Sequence, residues 1–159
     1  MSTLIPTTEL QYVVNRFNLN LSGAKMPIEI PNTNRETLAR LFAELRYGLG
    51  VEVGVERGKY SRVLLESNPG LKLWLVDTWQ AYKGYREHVS QEKLDGFLEQ
   101  TKEYLSSFNY AIKRKFSVDA AKDFEDNSLD FVYLDGNHEF RHVVDDISEW
   151  YPKVRIGGI

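Results

Sequence analysis

Apolar positions recur along most of this chain in two periods, one of a helix and one of a buried strand. Leu38, Leu41, Phe42 and Leu45 fall at helical spacing, so a helix is expected over residues 35–47. Asn34 is placed to cap its start, and Gly48 and Gly50 stop it. A β-branched run then predicts a strand over 49–55, followed by a helix over 59–67 and the turn Asn68-Pro69-Gly70. A second apolar strand is expected over 71–77, a weaker third over 110–115 and a fourth over 129–134. Ser90 caps a long helix reaching about residue 108, with Leu94, Phe97, Leu98, Thr101, Leu105 and Phe108 on one face. A short helix is expected over 119–124. A last one spans 139–151, with Val143, Val144, Ile147 and Trp150 facing inward. The first 34 residues are less regular. Residues 9–17 can form a short helix with Leu10, Val13, Val14 and Phe17 on one side, and 18–34 read as an extended arm or lid.

Strands that alternate with helices, and are apolar throughout, imply a parallel sheet covered on both faces. Right-handed crossovers make it a doubly wound α/β fold, whose ligands sit beyond the carboxyl ends of the strands near the switch in strand order. The organisation expected is an arm over 1–34 and one domain over 35–159. The 159 residues suit one such domain, and neither repeats nor low-complexity runs interrupt it. With 20 basic and 23 acidic residues the net charge is -3, which argues against nucleic acid as a partner. The absence of cysteine excludes disulfides, thiolate metal sites and cysteine nucleophiles. The start lacks the basic and apolar runs of a signal peptide, and no stretch is long and apolar enough to span a bilayer. A cytoplasmic protein without a membrane partner is the expectation.

The chemistry is sought at the strand ends. The first ends in Val51-Glu52-Val53-Gly54-Val55-Glu56-Arg57-Gly58, where two glycines bracket a tight turn into a helix and bring backbone close to a ligand. The second ends in Asp77, an acid placed to accept both hydroxyls of a ribose. Together these point to an adenosine-type cofactor. Glu52 and Glu56 beside the turn would repel a pyrophosphate, whereas a cofactor carrying a sulfonium and an ammonium suits them. That favours S-adenosylmethionine over a dinucleotide. After the third strand, Ser117 or Asp119 could meet an adenine edge, and Ser117 could equally cap the next helix. The fourth strand ends in Asp135-Gly136-Asn137-His138, where Asp135 and His138 could be a general base, a metal ligand or a cofactor contact. Magnesium would want further oxygen ligands there.

The run from Glu52 to Gly58, then Asp77, then Asp135-Gly136-Asn137-His138, resembles class I S-adenosylmethionine-dependent methyltransferases. It most resembles the small O-methyltransferase-like branch with D-G-x-H after the fourth strand. Val143, Asp146, Trp150, Pro152 and the K-x-x-x-G-G of 153–158 fit the same pattern, so the resemblance covers about 34–159. It implies a Rossmann-like sheet in the order 3-2-1-4. Glu52, Gly54 and Gly58 would bind the methionine end, Asp77 the ribose and Ser117-Val118 the adenine. Asp135 would lie at the methyl-transfer face. Val55, Tyr60, Ser61, Thr78 and Trp79 complete the expected cofactor neighbourhood. Asp135 or His138 would serve catalysis, on a small-molecule or sugar-type acceptor, with a divalent metal such as magnesium as an option.

Two departures stand out. Glu56 replaces the middle glycine of the family's G-x-G-x-G, and the sequence stops at Gly157-Gly158-Ile159, where the family begins a fifth strand. The chain is therefore expected to be truncated and to leave strand four as a bare edge, which is either covered by another chain, as in a homo-oligomer, or leaves the protein only marginally stable. The segment 77–88 is dense in aromatics. Trp79 and Tyr82 pack either on adenosine as a lid or against the preceding arm. The arm over 26–34, with Arg35, could close over the substrate. The rival readings are a catalytically inactive cofactor-binding or interaction unit and an NAD-dependent oxidoreductase.

Overall fold

A computed structural model describes residues 8–22, 28–84 and 88–159. The elements follow the hydrophobic periods closely. They are α1 (Thr8–Arg16), α2 (Arg35–Glu44), β1 (Leu49–Val53), α3 (Lys59–Ser67), β2 (Lys72–Asp77) and α4 (Gln91–Tyr104). β3 (Tyr110–Arg114), α5 (Ser117–Ala121), β4 (Phe131–Leu134) and α6 (Phe140–Trp150) complete the set, with a 3-10 turn over Tyr151–Lys153. Asn34 and Ser90 cap as expected, their side chains accepting from Thr37 N and Lys93 N. The part of the arm at 23–27 and the loop residues 85–87 lie outside the described residues.

Among the described residues the sheet has four strands, all parallel, in the order β3-β2-β1-β4. This is the Rossmann-like arrangement expected from the alternation of elements. Val53 stands opposite both Val76 and Leu134, so β1, β2 and β4 end level and their following loops converge. The pleat sends alternate residues to opposite faces. Leu73 and Leu75 join Phe42, Leu64, Leu98 and Leu105 under α2, α3 and α4. Val51, Val53 and Val76 join Ala120, Ala121 and Trp150 under α5 and α6. Gly50 lets the Phe131 ring lie across β1, because a Cβ there would sit 2.2 Å from that ring. The ring in turn stacks on Phe42 at 4.1 Å.

Two expectations about the far edge change. Of the stripe on α6, only Trp150 is buried, along with the polar Asp146. Val143, Val144 and Ile147 are exposed, and so are Phe140 and Tyr151 at the two ends of the helix. Spacing shows which side chains share a face, not which face the sheet takes. α6 docks through Trp150, whose Nε1 donates to Ser117 Oγ at 2.8 Å and whose ring lies against Phe124. The edge of β4 is also not bare at its start. The tail runs beside it, with Arg155 N donating to Leu129 O, Ile159 N to Asp130 O and Val132 N to Ile159 O.

Candidate cofactor cleft and active site

The level strand ends open into a cleft of about 590 Å³, within the size range of small-molecule and cofactor sites. Its floor is Val53, Gly54 and Val76. Asp77, Thr78 and Tyr82 form one wall, and Ser117, Val118, Asn137 and Asp146 contribute to the other.

The β1–α3 turn is built from left-handed residues. Gly54 has φ +87°, Glu56 +54° and Gly58 +68°. At Gly54 a side chain is barred, since a Cβ would lie 2.1 Å from Asp135 O, so the ends of β1 and β4 touch backbone to backbone. Glu56 takes the same strained region without being glycine, at a cost of about 1–2 kcal/mol. Its peptide groups are well held in return. Its N–H donates to Asp77 Oδ2 at 3.0 Å, and its carbonyl accepts from Trp79 Nε1 at 2.8 Å and from Thr101 Oγ1 at 3.3 Å. Its side chain is half exposed, 3.8 Å from Arg57, and does not line the cleft. The expected repulsion of a pyrophosphate by Glu56 is thereby corrected, because the left-handed backbone turns that carboxylate away from the cleft.

Asp77 sits at the rim of the cleft with both oxygens fixed: Oδ1 accepts from Trp79 N at 2.9 Å and Oδ2 from Glu56 N. Carboxylate oxygens have lone pairs to spare after one bond each, so Asp77 can still accept from a ligand diol. Arg114 holds the loop after β2 by donating to Thr78 O and Trp79 O, both at 3.1 Å.

Glu52 lies beneath this surface on the α3 side. It is buried, takes a hydrogen bond from Ser61 Oγ, and is pushed up to about 8 by desolvation. At neutral pH it is largely protonated and adds little negative charge to the cleft. The acids that face the cleft are Asp77, Asp119, Glu139, Asp145 and Asp146.

Several residues expected at the cofactor have their side chains engaged elsewhere. Trp79 is fully buried in the core on the α4 side, so it is no lid over adenosine. Tyr82 does line the cleft, edge-on to Phe116 at 5.1 Å. Tyr60 is buried against Tyr133, and its hydroxyl donates to Arg35 O at 3.1 Å. Val55 and Ser61 are core residues. The hydroxyl of Ser117 is shared between Trp150 and Asp146, and Phe116, not Ser117, precedes α5 as its cap residue. Ser117 and Val118 still line the cleft beside Asp119.

At the end of β4, Asp135 lies between two bases. Its Oδ2 accepts from Arg35 at 2.7 Å, and its Oδ1 is 3.5 Å from Nε2 of the largely exposed His138. Two site residues were missed in the sequence. Asn137 uses Oδ1 to accept from Glu139 N, while its Nδ2 is buried in the cleft with no partner. An orphaned buried donor costs about 1–3 kcal/mol, and a ligand oxygen would recover it. Tyr133, one strand position from a core residue, reaches the Arg35 guanidinium. Nothing in the apolar run of β4 distinguishes it from a packing residue. Among the described residues, no three His, Cys, Asp or Glu side chains gather closely enough to hold a metal ion. No described helix is long and apolar enough to cross a membrane.

A parallel doubly wound sheet, with a cleft at its switch point and an acid closing its second strand, defines a Rossmann-like fold. The sequence model of the methyltransferase domain family matches residues 51–159, and the chain belongs to that family. It is 24% identical over 106 residues to the uncharacterized protein y4gI of Sinorhizobium fredii (strain NBRC 101917 / NGR234), over 67% of this chain and 11% of that one. Among solved structures it is similar to the SAH-bound methyltransferase PaMTH1 of Podospora anserina, with a TM-score of 0.56 and 13% identity over 97% of this chain and 60% of that one. It is also similar to the O-methyltransferase of Bacillus cereus in complex with SAH, with a TM-score of 0.53 and 12% identity over 96% and 64% of the two chains. Spermidine synthase of Thermotoga maritima gives 0.54 and 16% over 76% and 40%. At these identities the likeness is one of fold. The chain spans about a tenth of the curated relative and less than two thirds of each of these structures.

Proposed function

We propose that this chain binds S-adenosylmethionine in the cleft and directs methyl transfer to an oxygen of a small-molecule or sugar-type acceptor. The observation that carries the reading is Asp77, held by two backbone N–H groups at the rim of a cofactor-sized cleft whose floor is the β1–α3 turn. The cleft fits the cofactor in its volume, in a lining whose five acids stand against Lys83, Lys115 and Arg141, and in the unpartnered Asn137 Nδ2. When bound, the cofactor supplies an electrophilic methyl group on a sulfonium.

The residues then have distinct tasks. Asp77 accepts the ribose hydroxyls, Val118 and Tyr82 pack against the base, and Asn137 Nδ2 donates to a ligand oxygen. Gly54 keeps the turn low enough for close approach. In-line transfer depends chiefly on positioning. A hydroxyl acceptor must also lose its proton, and the task is assigned to Asp135 with His138, 3.5 Å apart and flanking the cleft residues Gly136 and Asn137. A magnesium ion at Asp135 would need oxygen ligands from the acceptor or water. Self-association across the α6 stripe belongs to the same proposal.

Calorimetric titration with S-adenosylmethionine and S-adenosylhomocysteine, with NAD as control, tests the reading. Saturable binding of the first two and not of NAD is expected. Asp77→Ala should weaken it by about tenfold or more, the loss of a charge-assisted hydrogen-bond pair. Unchanged affinity would remove the ribose assignment, and NAD binding alone would replace the reading with a nicotinamide one. A second reading, a cofactor-binding unit without turnover, is favoured by the pairing of Asp135 with Arg35. Binding without methylation of any acceptor, with or without magnesium, would select it.

A further inference from the structure

A second cavity, of about 280 Å³, has Arg35 in its lining and shares no lining residue with the cleft. Phe17, Ile30, Leu38, Leu41 and Tyr133 give it apolar walls, with Thr33, Asn34 and Thr37 along one side. A cavity of 150 Å³ with apolar walls already accommodates benzene, so this recess has room for one substituted ring and not for a polymer. Arg35 is the only charged side chain among its described lining residues.

Arg35 also links the recess to the end of β4, whose next residues line the cleft. Its guanidinium lies 5.5 Å from the Tyr60 ring centre and 5.8 Å from that of Tyr133, itself a lining residue of the recess. One of its N–H groups holds Asp135 Oδ2, two residues along from Tyr133 and next to the cleft residues Gly136 and Asn137. That ion pair is partly exposed, with Arg35 more than half open to solvent. Such pairs contribute little, so a ligand anion can take the place of Asp135 at small cost. A carboxylate matches the planar fork of arginine in shape as well as charge.

From this arrangement we infer that the recess is the acceptor subsite, and that it takes a small carboxylic acid with a single-ring apolar body, the ring between Leu38, Leu41 and Tyr133 and the carboxylate on Arg35. The inference rests on the methyltransferase reading for the word acceptor, and on the recess alone for the ligand class. An acid bound in this way displaces Asp135 from Arg35 and brings a carboxylate oxygen to the boundary of the cofactor cleft.

Benzoate is the probe, with benzyl alcohol as its uncharged counterpart, each titrated into the full chain with methyl-labelled leucine, with and without S-adenosylhomocysteine. Benzoate should shift the Leu38 and Leu41 methyl signals saturably and bind at least about tenfold more tightly than benzyl alcohol. Arg35→Gln should abolish that preference while leaving the remaining methyl spectrum in place, and Arg35→Lys should restore part of it. Absence of leucine shifts at about 10 mM benzoate, weaker than any specific site of this kind, would overturn the inference. Equal binding of the two probes, or an Arg35→Gln variant that keeps the preference, would overturn it as well. Benzoate binding without any S-adenosylhomocysteine binding would leave the recess standing and bring down the cofactor reading. The reverse result would do the opposite.

Discussion

Glu52 is the residue whose chemistry the fold changes most. It faces the same side of the sheet as Leu75, its register partner, and so points into the core under α3. Burial raises it to about 8 from 4.5; the Ser61 hydroxyl opposes the shift, and the nearby charges of Asp135 and Asp77 add to it. Between those two values the folded protein holds a proton that the unfolded chain has shed. The stabilising contribution is therefore complete below about pH 4.5 and is lost as pH rises through about 8. Urea unfolding at a series of pH values should show stability falling by roughly 2–4 kcal/mol between pH 5 and 9. Glu52→Gln keeps the shape and the Ser61 contact without a titrating proton, so it should remove most of that slope and be the more stable protein at pH 9. A slope that persists in Glu52→Gln would show that another group carries it.

Among the elements, β1 and β4 are joined at both ends by contacts outside the regular ladder. At the far end Gly54 touches the Asp135 backbone. At the near end Asp130, just before β4, accepts from Gly48 N at 2.7 Å and Leu49 N at 2.9 Å through Oδ2, and from Arg155 Nε at 2.6 Å through Oδ1. Arg155 continues to Glu9 on α1, and Tyr47 donates to Gly157 O, so one carboxylate ties the sheet entrance, the tail and the first helix together. Asp130→Ala leaves two strand-entry N–H groups without their acceptor and Arg155 with Glu9 as its remaining carboxylate, and should cost roughly 2–3 kcal/mol in urea unfolding. Asp130→Asn, which keeps an acceptor, should cost less. Equal stability of Asp130→Ala and the parent would make the tie dispensable. This tie was not legible in the sequence, because Asp130 falls inside the apolar run over 129–134 and its partners lie far along the chain. What was legible was local or periodic: the Asn34 and Ser90 caps, the strand runs, the limits of α3, and Asp77 at the end of β2. Trp79 misled because density of aromatics in a loop does not reveal that its indole N–H reaches back to the Glu56 carbonyl. Asn137 was hidden for a different reason, since an unpartnered amide exists only once the surrounding loops are folded.

At the scale of the whole molecule the two faces of α6 have opposite characters. Arg141, His142, Asp145 and Asp146 face the cofactor cleft, while Phe140, Val143, Val144 and Ile147 form an exposed apolar stripe. Phe140 is 86% exposed and Tyr151 78%, with Ile156 of the tail open as well. The proposed self-association would bury this apolar surface. A second copy related by a two-fold axis would set one stripe against the other and place both cofactor clefts on the outside. The like-signed pair Asp145 and Asp146 stays on the cleft side, out of that contact. Sedimentation equilibrium at micromolar concentrations should therefore show a reversible dimer, and Ile147→Glu, which puts a charge in the middle of the stripe, should shift it to monomer. Because Ile147 is half exposed and outside both core clusters, the same variant should keep the parent's thermal midpoint and its affinity for S-adenosylhomocysteine. A parent chain that remains monomeric at about 100 μM would rule out the stripe as a contact between copies. A dimer indifferent to Ile147→Glu would move the contact elsewhere on the molecule.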